Sequence, residues 1–569
     1  MAEDGAGLNR RQWLGAVAAV TGLAISRRGL ATTMATSPKL NQIGSLPGAS
    51  KHFCCAGADD NAPIDFVIER NDGRAVYRGS LAPKVHDVTA TTGEYVRRGD
   101  FSQVKVPGVY RVRVGTALSH PFAIGEGVYA PLIRDAARCF YIIRANVALD
   151  DPVTGLRHKV GHQQDAALLV DGVPRDLTGG WYNAGDYGKW THMAAISASQ
   201  IMWLHELRPA CALALKLGVP QTYPGLPDLL QQARWGLDWL LRMQDSAGAV
   251  THKVDTEPNF AWGLLPDADP NVRKAGRAGS VDAGVFVGVM LQAARVFATL
   301  ESGFAARCHA AALKSWGWLE ANPDVDHHDI YYPDPQPGHS AAWALVAMAA
   351  ATQDPALDRR AIEAVEKFGS LPFSWQTPQV LGIMSLAMHG APVARAAAVS
   401  AIMAAAAGVK ATVDADPYGY SAQPAHFFWG SLESALDGAV TCLFAQELDK
   451  TGSSGGGAAR DTAQRLLDYA LGSNSLGLSF VTGHGTKRVE HPYHWTYRTQ
   501  LRIMPGWPSG GPNHLPQGAD PLLAALIVAG TKPAKCFVDA CEVNGSWASN
   551  EGQISETAAL LLASGLYAM

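Results

Sequence analysis

The sequence predicts a mostly α-helical protein in which a small antiparallel β-sandwich precedes a much larger helical domain. The chain of 569 residues is 47% hydrophobic and only 17% charged, so it can bury a large core and should divide into more than one domain. Residues 38–125 contain short runs that alternate with period two, separated by Gly, Pro, Asp and Asn. Residues 127–569 contain instead long runs rich in Ala and Leu with helical spacing.

Three alternating runs predict strands of the first domain. They cover residues 65–69, 74–77 and 108–114. In the last run, Tyr110, Val112 and Val114 share one face, as expected for a strand that packs one face on a core. Short strands with turn residues between them, over about 85 residues, are typical of a β-sandwich.

About a dozen helical runs follow, separated by long loops rich in Gly, Pro and aromatic residues. The clearest runs cover residues 193–217, 226–243, 281–300, 339–351, 378–388, 429–448 and 459–471. An even number of buried helices predicts a closed double ring, with loops at one end that form a cleft. An open solenoid is the alternative, but the sequence shows no internal repeat of about 34 to 47 residues, so we favour the closed ring.

The first 36 residues have the features of an export signal. Arg10 and Arg11 precede a mostly small or apolar stretch over residues 15–25, and Ala31 and Ala35 follow it. This order is typical of a twin-arginine signal peptide and predicts a periplasmic or secreted protein. The apolar stretch is shorter than the roughly 20 residues that span a bilayer, so we expect no membrane attachment after cleavage. A basic N-terminus with a chance apolar patch is the alternative.

Charge and cysteine content exclude several classes of function. The formal net charge is −4 and the body of the chain has no Lys or Arg run, so we expect no binding to nucleic acid. None of the eight cysteines forms a CxxC pair or a cluster with histidines, which argues against a zinc ribbon or a redox motif. A neutral or mildly polar ligand and a monomeric protein remain the simplest expectations.

Two segments carry residues suited to acid–base chemistry. Residues 179–190 combine four glycines, four aromatic residues and Asp186, which can accept a proton from water. Glu551 lies just ahead of the last apolar run. An isolated glutamate at such a position more often has only a structural role, in which its charge interacts favourably with the helix dipole. The two carboxyl groups taken together indicate an enzyme.

These segments resemble the signatures of glycoside hydrolase family 9, a cellulase family with an aspartate-rich loop and a late Asn-Glu motif. Further matching blocks occur in the expected order at residues 429–431, 467–474, 479–483 and 510–513. Residues 40–48 and 100–102 resemble the immunoglobulin-like domain that precedes the catalytic domain in the bacterial endoglucanase branch. The resemblance implies an (α/α)6 barrel over residues 127–569, preceded by an immunoglobulin-like β-sandwich over residues 38–125.

The resemblance also implies a reaction and its residues. Asp186 matches the general base that activates water, and Glu551 matches the general acid that protonates the leaving oxygen. The expected activity is hydrolysis of β-1,4-glucosidic bonds in cellulose or related β-glucans with inversion, which needs carboxyls about 6.5 to 9.5 Å apart. The polysaccharide or oligosaccharide substrate should contact Asn183, Tyr187, His494, Trp429, Arg498 and Trp547.

The substrate site departs from the family pattern at two places. Asn183 stands where an aspartate is usual, and an amide can hold water but cannot accept its proton. Trp495 stands where a sugar-contacting arginine is usual, and Arg498 is the nearby candidate to replace it, whereas His494 fits a substrate-binding histidine.

The expected cofactor content is none. Some relatives hold zinc just before the aspartate loop, but Ala145 and Gly161 occupy the corresponding cysteine positions and leave only His158 and His162. We therefore expect that this zinc site is lost. A structural calcium ion is compatible with the family, although no loop has EF-hand spacing.

Two alternatives remain beside the endoglucanase. An exo-β-glucosaminidase or an oligosaccharide-specific β-glucosidase would use the same domain pair. A non-catalytic sugar-binding protein would follow from Asn183, but retention of both Asp186 and Glu551 argues against it.

Overall fold

The structure is a computed structural model of the chain. It describes residues 37–57, 63–83, 88–256, 263–329, 332, 338–449, 454–515, 520–541 and 546–569. The predicted export signal, residues 1–36, lies outside the described residues, so export stays a prediction.

The first domain is a β-sandwich of two sheets. Its strands are β1 (Gly44–Ser45), β2 (His52–Gly57), β3 (Asp65–Arg70), β4 (Ala75–Ser80), β5 (Tyr95–Asp100), β6 (Gly108–Val114), β7 (Ala117–Leu118) and β8 (Phe122–Ile124). One sheet has the order β1-β8-β6-β3-β4 with β7 on β6, and β2 pairs with β5 in the other. Alternate residues such as Phe66, Ile68, Tyr110 and Val112 fill the core between them.

The rest of the chain is mainly helical. The helices are α1 (Thr89–Thr92, within the sandwich), α2 (Ala130–Ile142), α3 (Thr191–Leu207), α4 (Pro209–Ala214), α5 (Asp228–Met243), α6 (Ser280–Val296), α7 (Ser302–Ala321), α8 (His339–Thr352), α9 (Pro355–Phe368), α10 (Gln379–His389), α11 (Pro392–Asp414), α12 (Ser431–Leu448), α13 (Ser454–Ala470), α14 (Trp495–Gln500), α15 (Pro521–Val528), α16 (Trp547–Asn550) and α17 (Ile554–Ala568).

Within the described residues, α3, α6, α8, α10, α12 and α17 form a closed inner ring. Each packs against the next, and α17 closes the ring on α3. Their side chains are buried on nearly all sides, because a second ring of helices covers them. The outer ring contains α2, α5, α7, α9, α11 and α13, of which α2, α5 and α9 bury one stripe and expose the other. The predicted (α/α)6 barrel with an immunoglobulin-like sandwich is confirmed.

One outer helix passes a test for membrane spans. Among the helices that the structure describes, α11 is long and apolar enough to cross a bilayer by length and composition alone. It packs against α9, α10 and α12, so it has a place in the outer ring of the barrel.

Two helix boundaries differ from the sequence prediction for clear local reasons. The run 193–217 is divided at Arg208, because Pro209 has no N–H to continue the hydrogen-bond ladder of α3. Trp429 lies before α12, since Gly430 takes a left-handed conformation at the helix start with φ 86°.

Short strands at one end of the barrel position the loops. They are β9 (Leu149–Asp150), β10 (Arg157–His158), β11 (Leu168–Val170), β12 (Val173–Arg175), β13 (Lys189–Trp190), β14 (Lys253–Asp255) and β15 (Lys274–Ala275). A three-stranded sheet of order β13-β14-β15 joins three loops that are far apart in sequence.

Candidate active site

A buried ion cluster anchors the loop of residues 179–190. Lys189 Nζ lies 2.7 Å from Asp165 Oδ2, and Arg273 Nε lies 3.0 Å from Asp165 Oδ1, with all three side chains fully buried. Burial alone would raise the pKa of Asp165, but the two cations lower it to about 2. Lys189 also donates to the carbonyl of Gly179, so the cluster joins both ends of the loop.

We expect Asp165→Asn to lower the free energy of unfolding by about 3 to 5 kcal/mol, because it leaves two buried cations without their carboxylate. Since the pKa of Asp165 is lowered to about 2 in the folded protein, this stabilisation is present above about pH 4 and is lost as the pH falls toward 2. Urea unfolding of both proteins at pH 7 measures the difference.

Asp176→Asn is the matched control for this variant. Asp176 pairs with Arg242 at an exposed site, so its loss should cost less than about 1 kcal/mol. An equally small cost for Asp165→Asn would contradict the anchoring role of the cluster.

Asp186 is half-buried at the turn of this loop. The Gly188 N–H donates to its Oδ1 at 3.1 Å. Burial, and next the negative charge of Asp255, raise the pKa of Asp186 to about 7, although the Gly188 N–H, Arg273 and Lys253 oppose the rise. A carboxyl group with such a pKa can accept a proton near neutral pH.

Glu551 follows the short helix α16 and is also half-buried. The Gly185 N–H donates to its Oε1 at 3.0 Å, which joins Glu551 directly to the loop of Asp186. Burial and the negative charge of Asp186 raise the pKa of Glu551 well above its usual value. The two predicted catalytic carboxyls therefore lie in one site and influence each other electrostatically.

Asn183 is buried beside this pair and its amide is oriented by a hydrogen-bond chain. Its Nδ2 donates to Tyr332 Oη at 2.7 Å, and Tyr332 Oη donates to Gln553 Oε1 at 3.2 Å. The Asn183 Oδ1 atom has no hydrogen-bond partner among the described residues. This oxygen is therefore available to accept a hydrogen bond from a bound molecule.

Two predicted substrate contacts lie in buried aromatic packing. Tyr187 is 2% exposed, donates its hydroxyl to the Leu264 carbonyl at 2.6 Å, and meets Trp495 edge to face. His494 is 5% exposed and lies edge to face against Trp507, and burial lowers its pKa to about 4. Both side chains are therefore buried, and their roles as substrate contacts stay predictions.

The other three predicted contacts are half-buried. Trp429 lies just ahead of α12, and Arg498 lies on α14 with its Cγ near Gly263. Trp547 begins α16, four residues before Glu551, and packs on the aromatic cluster that contains Tyr187. Part of each of these side chains is accessible to solvent, and their contact with substrate stays a prediction.

His162, one of the two histidines left at the expected zinc position, contacts other protein groups. His162 Nδ1 lies 2.7 Å from Tyr182 Oη, and its Nε2 lies 3.0 Å from Asp269 Oδ2. A side chain at Gly161 would collide with Pro266, since an added Cβ would lie 2.4 Å from the Pro266 Cβ. Both ring nitrogens of His162 are thus already used, and a cysteine at residue 161 has no room.

Another group with metal-ligand chemistry was not predicted from the sequence. His252 Nδ1 lies 2.8 Å from one oxygen of Asp282, and His327 Nδ1 lies 3.3 Å from the other, all three residues being buried. The two imidazoles are stacked at 3.7 Å with planes 15° apart, and one ligand atom from each of the three residues lies within 4.8 Å of the others. Asp282 thus accepts a hydrogen bond from His252 and makes a longer contact with His327, and the three residues together have the donor types of a metal site.

Lys253, Asp255 and Tyr332 were also missed as site residues. They come from β14 and from the loop before α8, which reach the site through tertiary packing. The neighbouring pair His252 and Lys253 was a faint signal, since two such polar residues in succession are unusual beside a buried strand.

Comparisons with known proteins agree with this geometry. The model of glycosyl hydrolase family 9 matches residues 129–564, and that of the cellulase N-terminal Ig-like domain matches residues 35–119. The xyloglucan-specific endo-β-1,4-glucanase BoGH9A of Bacteroides ovatus is 28% identical, over 93% of this chain and 94% of the relative. A cellulose 1,4-β-cellobiosidase of Acetivibrio thermocellus is 26% identical over 90% of this chain, which spans 65% of that relative's length.

A solved structure of a member of this family has the same fold. The crystal structure of a metagenome-derived glycoside hydrolase family 9 endoglucanase superimposes with a TM-score of 0.84 at 30% identity, covering 94% of this chain and 99% of the other. The resemblance drawn from the sequence is confirmed, and the chain belongs to glycosyl hydrolase family 9.

Proposed function

We propose that this protein hydrolyses internal β-1,4-glucosidic bonds of cellulose or a related β-glucan with inversion at the anomeric carbon. Membership of the family supports glycoside hydrolysis. Relatives named as an endo-β-1,4-glucanase and a cellobiosidase support a β-1,4-glucan as the substrate. The half-buried carboxyls of Asp186 and Glu551 in one site support an acid–base reaction.

The unequal surroundings of the two carboxyls carry the assignment of their roles. Arg273 and Lys253 favour the ionised form of Asp186, whereas the nearby charge of Asp186 disfavours ionisation of Glu551. Because the two groups titrate as a pair, the first proton leaves Asp186 and the second stays on Glu551. The singly ionised pair contains one base and one acid, which is the state that hydrolysis needs.

The reaction then proceeds by a single displacement. Asp186 takes a proton from a water molecule as the water oxygen bonds to the anomeric carbon. Glu551 gives its proton to the glycosidic oxygen as the bond from that oxygen to the anomeric carbon breaks. Attack from the face opposite the leaving group converts the β-anomer to an α-product. The free Oδ1 of Asn183 can accept the second hydrogen of this water and orient it.

Product analysis tests this proposal. The purified protein is incubated with cellohexaose, carboxymethylcellulose and chitosan oligomers, and proton NMR at early times follows the new reducing ends. We expect α-anomers first, together with a rapid fall in the viscosity of carboxymethylcellulose. Initial β-anomers would contradict inversion, and turnover of chitosan oligomers alone would identify a glucosaminidase. Sugar binding without turnover of any substrate would favour the non-catalytic alternative.

A further inference from the structure

Asp255 lies beside the catalytic loop although it is 69 positions after Asp186 in the sequence. It is the last residue of β14, which pairs with β13 in the register Trp190 to Lys253. A Cβ added at Gly188 would lie 3.5 Å from Asp186 Oδ1 and 3.4 Å from Asp255 Oδ1. The bare glycine therefore lets two carboxylates approach the same point.

The buried charge of Asp255 destabilises the folded protein at this position, which points to a functional role for that charge. It is 3% exposed, and a second carboxylate beside Asp186 adds repulsion to the cost of burial. Its oxygens do have partners, since Thr256 N–H donates to Oδ1 at 2.7 Å and Lys253 Nζ lies 3.7 Å from Oδ2. An asparagine would keep the Thr256 hydrogen bond without the charge.

Several charged or titratable groups face the two aspartates. Lys253 also pairs with Asp329 at 2.7 Å and lies over the ring of Trp190. Its positive charge therefore interacts with these groups as well as with Asp255. Among the residues that the structure describes, these groups are Lys253 and Asp329, Arg273, Glu551 and Tyr332. Asp255 is the carboxylate whose charge most strongly opposes ionisation of Asp186. The charge of Asp255 therefore makes Asp186 a stronger base.

We propose that Asp255 is a positioning residue that acts on Asp186 through its negative charge, and that it supplies the second carboxylate which the uncharged Asn183 does not provide. This inference rests on the proposed function. The negative charge of Asp255 has two roles in the proposed reaction. It stabilises the proton that Asp186 takes from water, and it favours the positive charge that develops on the sugar ring.

The pH dependence of kcat/KM on cellohexaose tests the proposal. In Asp255→Asn the acid limb should move to lower pH by about one unit, because removing a like charge lowers the pKa of Asp186. The maximum should fall by about tenfold, because a weaker base accepts the proton less well. Asp255→Glu should restore the acid limb to within about 0.3 unit of the wild-type value.

Asp329→Asn is the matched control, because it removes the other carboxylate that pairs with Lys253. Its acid limb should stay within about 0.3 unit of the wild-type position. A lower rate in Asp255→Asn with an unmoved acid limb would overturn the proposal and leave Asp255 with a merely structural role. If the wild-type protein shows no inverting hydrolysis, the proposed function fails first, so the two failures are distinguishable.

The double variant Asn183→Asp with Asp255→Asn keeps the test decisive if the single variant folds poorly. It moves the second carboxylate from β14 to the loop that already carries Asp186. We expect Asn183→Asp alone to shift the acid limb to higher pH, and the double variant to regain most of the activity lost in Asp255→Asn. If the free-energy effects of the two single substitutions simply add in the double variant, the proposal is overturned.

Discussion

Replacing Glu551 with Gln should lower kcat/KM on cello-oligosaccharides by about 10³-fold, because the amide has no proton to give the departing sugar oxygen. Glutamine has nearly the same shape and can still accept the Gly185 N–H, which now meets Glu551 Oε1 at 3.0 Å. The loop should therefore keep its position, and the loss should arise from the missing proton. Initial rates on cellohexaose measure it.

The dependence on leaving group identifies the cause of this loss. A dinitrophenyl β-cellobioside needs little protonation of its leaving oxygen, so Glu551→Gln should lose less than about tenfold on that substrate. Glu363→Gln is the matched control, since Glu363 is exposed on the outer helix α9. Equal losses on both substrates would contradict the role of Glu551 as general acid.

Tight packing of the backbone next to Glu551 determines where its carboxyl group lies. Gly552 packs so closely on the loop of residue 508 that an added Cβ would lie 1.9 Å from the Pro508 carbonyl oxygen. The chain must pass through this gap for Glu551 to reach Gly185. The position of the acid is therefore set by packing between two loops and by one backbone hydrogen bond.

The fold was largely predictable because its signals are local. Period-two alternation marks β6, and apolar runs that lack a polar face mark the inner helices such as α12. The boundaries that were wrong depend on single residues, Pro209 and Gly430, whose effects on φ and on backbone N–H groups are known in advance. The closure of the ring is a long-range contact of α17 with α3, and the sequence favoured it only because no internal repeat supports an open solenoid.

The site was predictable only where a motif is continuous in sequence. Asp186 and Glu551 each lie in a recognisable segment, whereas Asp255 and Tyr332 reach the site through strand pairing and loop packing that leave no local pattern. Sequence alone also cannot tell which way a loop side chain points. Tyr187 follows Asp186 directly, yet its hydroxyl is used inside the protein by the Leu264 carbonyl.

Replacing Asp186 should have an equally large effect with a different signature. Asp186→Asn should lose about 10³-fold on cellohexaose and about as much on the dinitrophenyl cellobioside, because activation of water is needed whatever the leaving group. In the wild-type protein, the rate should fall as the pH drops through about 7, where Asp186 becomes protonated and can no longer accept a proton. This acid limb should be absent from the profile of the variant.

A shorter side chain gives the decisive form of this test. Asp186→Ala opens space on the face from which water attacks, so added azide should replace the water and yield an α-glycosyl azide from the dinitrophenyl β-cellobioside. Asp461→Asn, on the outer helix α13, is the control and should form no azide product. A β-glycosyl azide would mean attack from the side of the leaving group. The base would then have to lie on that side, and the assignment of Asp186 would be wrong.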